Sequence, residues 1–167
     1  MHYIDRRDLL FEDLSTAMEL YPANFDLYSF AGFVYGDYGY YKEAIYIFKL
    51  LLDIATNDEQ RSSLWGYIGD IYHEQGKDSK AFKSYDKALR YNGDNVLVLN
   101  NYAYFLSLLD KDLEKALTMS ARAIYLEANN SSYLDTHAWV LHRLGRNDEA
   151  KTVMRQALSL SSQPDAN

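Results

Sequence analysis

Four alanines mark a regular interval along this chain. Ala44, Ala81, Ala116 and Ala150 are separated by 37, 35 and 34 residues. Each opens the same pattern: Phe48, Tyr85, Ser120 or Met154 follows, then Leu51, Ala88, Ala123 or Ala157. That is the spacing of one helix face. A second small residue lies upstream of each alanine, at Gly32, Gly69, Ala103 and Ala138. Small residues on two successive helices let their backbones approach closely, and the larger residues between them fill the space around that contact. Self-similarity at such a period is the mark of a stacked array of supersecondary units. The expected fold is therefore all-α, built from helix pairs.

The stretch Leu64-Trp65-Gly66-Tyr67-Ile68-Gly69-Asp70-Ile71-Tyr72, followed by Gly76, Ala81, Tyr85 and Ala88, resembles the tetratricopeptide repeat. The same skeleton reads Tyr28, Ala31, Gly32, Tyr35, Ala44, Phe48 and Leu51 upstream. Downstream it reads Leu99, Tyr102, Ala103, Leu106, Ala116 and Ala123, then Leu134, His137, Ala138, Leu141, Gly145, Ala150, Met154 and Ala157. The resemblance implies an α-α superhelix, a right-handed solenoid of tetratricopeptide helix pairs with a period of about 34 residues. One repeat domain spans residues 1–167, with full repeats at 25–58, 62–95, 96–130 and 131–164. Residues 1–24, with Leu10, Leu14, Ala17 and Pro22, read as an orphan second helix of a preceding repeat. Gly76 and Gly145 are placed to end first helices in the left-handed conformation. Asp78, Asn95, Ser131 and Asn147 are candidate caps for the helices that follow.

Composition narrows the function. Of 167 residues, 16 are tyrosine and two are proline, which suits helices with many half-buried positions. A net charge of −7 lacks the basic footprint of a general nucleic-acid binder. With no cysteine there is no disulfide, thiolate metal site or cysteine nucleophile. No apolar run approaches the roughly 20 residues that span a bilayer, and the charged, amphipathic start is not a signal peptide. A soluble chain without direct membrane insertion is expected. Its compartment is left open between the cytoplasm and, if a parent chain carries a signal, the periplasm or cell envelope.

In proteins of the resembled family the first helices line a concave groove that holds a peptide or protein segment. Carried over, that face includes Phe33, Asp37, Asp70, His73 and Glu74, then Asn100, Asn101 and Tyr104, then Asp135, Trp139, His142 and Arg143. Phe33, Tyr104 and Trp139 are the aromatic candidates for binding hot spots. The acidic groups favour a partner segment carrying Lys or Arg. They disfavour the acidic tails of heat-shock chaperones, which other members clamp with basic groove residues.

Asp70, His73 and Glu74 lie within one helical turn, but a metal there is not expected, because a zinc-protease helix would need a second histidine. No cofactor is expected either. His137 occupies an apolar position and reads as a core histidine. Asp110 to Glu114 lacks the glycine and ligand spacing of a calcium loop. Without a phosphate-binding loop or nucleophile elbow, the chain reads as a scaffold or adaptor and not an enzyme. Two alternatives stand beside that reading. One is a homo-oligomer formed through uncapped ends exposing Val153, Leu158 and Leu160. The other is an accessory domain of a larger exported bacterial protein, since Leu99–Ala103 and Tyr133–Trp139 are similar to bacterial members.

Overall fold

The computed structural model describes residues 6–162. Nine helices occupy them, and no strand occurs among the described residues. They are α1 Arg6–Leu20, α2 Phe25–Asp37, α3 Tyr41–Ile54, α4 Asp58–Glu74, α5 Asp78–Tyr91, α6 Val96–Leu108, α7 Leu113–Leu126, α8 Ser131–Arg143 and α9 Asn147–Ser161. None is long and apolar enough to cross a membrane. The chain divides into two compact units, residues 1–84 and 85–167, with the boundary inside α5.

In the first unit α2 packs on α3, α3 on α4, and α1 on α2. Leu14, Ala31, Ala44, Phe48, Leu51 and Ile68 are buried together. The joint between α2 and α3 is set by Gly32. A Cβ there would stand 2.6 Å from Phe48 Cε1, so the ring occupies the space that any side chain would need. Phe11 of α1 packs on Tyr35, Tyr38 and Tyr40, with ring centroids 4.8, 5.5 and 4.9 Å away. These rings are half-buried or exposed, which is the use the tyrosine content anticipated.

In the second unit α6 packs on α7, α7 on α8, α8 on α9, and α6 also meets α8. Tyr85, Tyr102, Leu106 and Val140 are buried. Tyr102 donates to Asp86 Oδ1 at 3.1 Å, and Lys115 Nζ donates to the same carboxylate at 3.2 Å, joining α5, α6 and α7. Arg122 makes a two-pronged pair with Asp94 at 2.8 Å in each arm, which holds that carboxyl below its usual range.

The punctuation of the repeat is more regular than the sequence reveals. The helices α2, α4, α6 and α8 all begin on an asparagine cap: Asn24, Asn57, Asn95 and Asn130. Each accepts from a backbone N–H of the first turn, a bond worth about 1 kcal/mol. Asn95 is thus the cap expected, whereas Ser131 is not. Asn130 accepts from the Ser132 and Tyr133 amides, and Ser131 is already helical. Asp78 and Asn147 do not cap either. Each is the first residue of its helix, and its oxygen faces back to the preceding helix, Asp78 to His73 Nδ1 at 3.0 Å and Asn147 to His142 Nδ1 at 2.8 Å.

The same four helices end alike. Backbone bonds Tyr40 N–H to Tyr35 O, Lys77 to Tyr72, Lys111 to Leu106 and Arg146 to Leu141 close four turns of the Schellman type. The left-handed residue is Gly39, Gly76 or Gly145 in three of them, as expected at the last two, but Asp110 in the fourth, with φ 50°. A side chain in that conformation costs about 1–2 kcal/mol. Gly76→Ala and Gly145→Ala are therefore expected to lower stability by about 1 kcal/mol each, although a Cβ would meet nothing there. Asp110→Gly removes strain but also an ion pair to Arg143, worth less than about 1 kcal/mol at this exposure. It should melt at or above wild type; a clearly lower Tm would show the pair outweighing the strain.

Candidate functional site

Periodicity along α2 and α4 brings four of the sequence-selected residues to one cleft of the first unit. Phe33 and Asp37 lie one turn apart on α2, and Asp70 and Glu74 lie one turn apart on α4. All four line a cleft of about 360 Å³, with Gly32, Gly36, Tyr41, Phe48, Tyr67 and Ile71 completing it. Phe33 meets Tyr67 edge to face at 4.6 Å and Phe48 at 5.4 Å, so one aromatic wall runs from the surface to the core. Burial, with the charge of Asp70 beside it, pushes the Tyr67 hydroxyl above its ordinary value of 10.0. No lysine or arginine lines the cleft. Neither Asp37 nor Glu74 forms an ion pair among the described residues. His73, though on the same helix, pairs across the turn with Asp78. Tyr41 and Tyr67 belong to the cleft but were not selected from sequence. For Tyr67 the signal was present, since it lies one helical turn before Asp70.

The second unit distributes the remaining candidates. Asn100 and Tyr104 of α6 share a cleft with Asp135 of α8 and with Met154 and Leu158 of α9. Asn100 Nδ2 donates to Asn101 Oδ1 at 3.3 Å. The Asn100 Oδ1 atom is buried with no partner among the described residues. Trp139 and His142 line a separate cleft between α8 and α9, where Trp139 Nε1 is likewise buried and unpaired. A buried group left so costs about 1–3 kcal/mol. Arg143 is held by Asp110 and lies 5.6 Å from the Trp139 ring centroid. Leu158 is exposed, while Val153 and Leu160 are half-buried.

His137 is a core residue. Its Nδ1 lies 2.8 Å from the Oγ of Ser120, whose hydroxyl donates to Leu117 O. Ser120 stands where Phe48 and Tyr85 stand in the first two repeats, so a small hydroxyl makes room for the histidine ring. Burial, and then the charge of Arg146, hold His137 below its ordinary 6.5, with Glu149 opposing. Folding thus disfavours the protonated ring. Stability is complete above about pH 6.5 and falls as pH drops below it, because the unfolded chain takes up the proton first. His137→Gln, which keeps a donor for Ser120, should flatten the drop in Tm between pH 7.5 and 5.5. An unchanged drop would assign it to other groups.

Comparison with known proteins agrees with this geometry. Residues 62–95 and 132–164 match the tetratricopeptide repeat family. A curated relative, the uncharacterized protein ycf37 of Pyropia yezoensis, is 35% identical over 81 residues. That match covers 48% of this chain, and the chain spans about half of the relative, 45% of its length. A tetratricopeptide repeat protein from Parabacteroides merdae superposes with a TM-score of 0.73 at 20% identity, covering 96% of this chain and 63% of that one. The second tetratricopeptide domain of Spaghetti (RPAP3), solved with the HSP90 peptide SRMEEVD, gives 0.57 at 24% identity, covering 64% and 90%. Helix pairing, recurring small residues, the four matching turns and these similarities lead to one identification: the chain is an all-α array of helix pairs that carries tetratricopeptide repeats at residues 62–95 and 132–164.

Proposed function

We propose that this protein is an interaction module that binds a basic polypeptide segment, with the cleft between α2 and α4 as its principal site. The observation that carries this reading is the cleft itself, lined by the aromatic pair Phe33 and Tyr67 and by Asp37, Asp70 and Glu74, with no basic residue in the lining. Aromatic surface supplies contact area, and carboxylates select the sign of the partner. In the second unit, Tyr104 and Trp139 offer further aromatic contact. The Asn100 oxygen and Trp139 Nε1–H supply an acceptor and a donor of the kinds an extended backbone can satisfy. The role is binding and not catalysis.

The Spaghetti domain was solved with an acidic peptide, and that chemistry does not suit this cleft. A carboxylate entering it would meet Asp37 and Glu74, neither of which is ion-paired among the described residues. The test is titration of the full chain with a labelled seven-residue Lys/Arg-rich peptide and with SRMEEVD at two salt concentrations. The basic peptide should bind, weaken as salt rises, and be lost in a Phe33→Ala/Glu74→Gln variant, while SRMEEVD shows no saturable binding. Tighter binding of SRMEEVD, or basic binding indifferent to the double variant, would overturn the reading.

A further inference from the structure

Two glycines of α2 lie within one turn of each other and cannot be explained in the same way. Gly32 is imposed by the Phe48 ring. Gly36 is not. A Cβ there would meet Ala44 Cβ and Ile71 Cδ1 at 3.9 Å, ordinary contact distance, and its backbone has no positive φ. A helical glycine with room for a side chain forgoes stability that alanine would supply. Such a local departure from the best helix former is expected where function needs it. Gly36 lines the α2–α4 cleft together with the Phe33–Tyr67 wall and the carboxylates. A methyl there would fit in contact with Ala44 and Ile71, and a longer side chain would take volume from the cleft that Gly36 lines.

We propose that this cleft is a receptor for one arginine side chain of the bound segment, kept open by Gly36. The inference rests on the function proposed above and deepens it by naming the group recognised. The shape and chemistry favour guanidinium over ammonium. Phe33 and Tyr67 stand edge to face, so a planar cation can stack on the open face of one ring beside the edge of the other, with its forked donors directed to the carboxylates. Asp70 is half-buried within the cleft, and Asp37 and Glu74 are exposed at its rim. The exposed carboxylates of Asp37 and Glu74, which form no ion pair among the described residues, attract the cation and can take its forked donors.

The experiment uses the full chain and three otherwise identical glycine-flanked peptides bearing arginine, lysine or citrulline, with free arginine as a fourth probe. Binding is followed by the ring resonances of Phe33 and Tyr67. The arginine peptide should bind at least tenfold tighter than its citrulline counterpart, which keeps the shape without the charge, and tighter than the lysine peptide. It should also exceed free arginine, since the occupant is part of a chain. Gly36→Leu fills the cleft and should abolish binding of the arginine peptide, and Asp37→Asn/Glu74→Gln, which leaves the volume unchanged, should weaken it about tenfold. Gly36→Ala should melt at or above wild type. Equal binding of arginine and citrulline peptides, equal binding of free arginine, or undiminished binding by Gly36→Leu would overturn the proposal. If the longer basic peptide still binds Gly36→Leu as it binds wild type, the interaction function stands and the arginine pocket alone fails.

Discussion

Phe48→Ala is expected to lower stability by about 3–5 kcal/mol, the cost of removing a buried aromatic ring from a core that collapses only partly around the loss. At the scaling of a chain this size, that is a fall in Tm of about 6–20 °C. Phe48 of α3 is 1% exposed and meets both α2 and α4. It fills the gap over Gly32, stacks edge-on to Phe33 and lies 5.6 Å from Tyr67. The substitution should therefore also loosen the aromatic wall of the cleft. Thermal melts followed by circular dichroism check the first consequence. A decrease under about 1 kcal/mol would mean that Phe48 is a filler and not the keystone of the unit.

The second large effect is steric. Gly32→Ala adds a single methyl 2.6 Å from Phe48 Cε1 and 2.8 Å from Cζ, closer than real atoms come. Either the ring or the helix must move. With the ring buried on every side, a cost of about 1–3 kcal/mol is expected despite the helix propensity gained. A double variant discriminates this account from simple loss of flexibility. Gly32→Ala/Phe48→Leu should be more stable than the sum of the single effects by about 1 kcal/mol or more, because the smaller side chain vacates the space the methyl needs. Additive losses would contradict the steric reading.

The repeating alanines and glycines were legible because a close helix crossing permits no alternative residue. Ala31, Ala44, Ala81, Ala103 and Ala116 are all fully buried. The caps were less legible. Several residues around each helix start carry a suitable oxygen, and at Asn130-Ser131 only backbone geometry decides that the asparagine serves. At Asp78 and Asn147 a partner five residues upstream, His73 or His142, takes the oxygen instead. Asp110 carried no signal, since aspartate tolerates the left-handed region without requiring it. In the cleft, Phe33, Asp37, Asp70 and Glu74 were reachable by helical spacing. Tyr67 and Tyr41 were not selected, because half-buried tyrosines at helix contacts read as packing. In the second unit, spacing alone did not show that Trp139 and His142 face a different cleft from Tyr104.

The boundary inside α5 has a kinetic consequence. Starting a helix is costly, because several residues must be fixed for one hydrogen bond, whereas each residue added afterwards brings its own bond. Were the first unit to form first, residues 78–84 would wind with it, and Tyr85, one of the buried side chains of the second unit, is the next residue of the same helix. Order can then spread from one unit to the other by elongation, without a fresh nucleus.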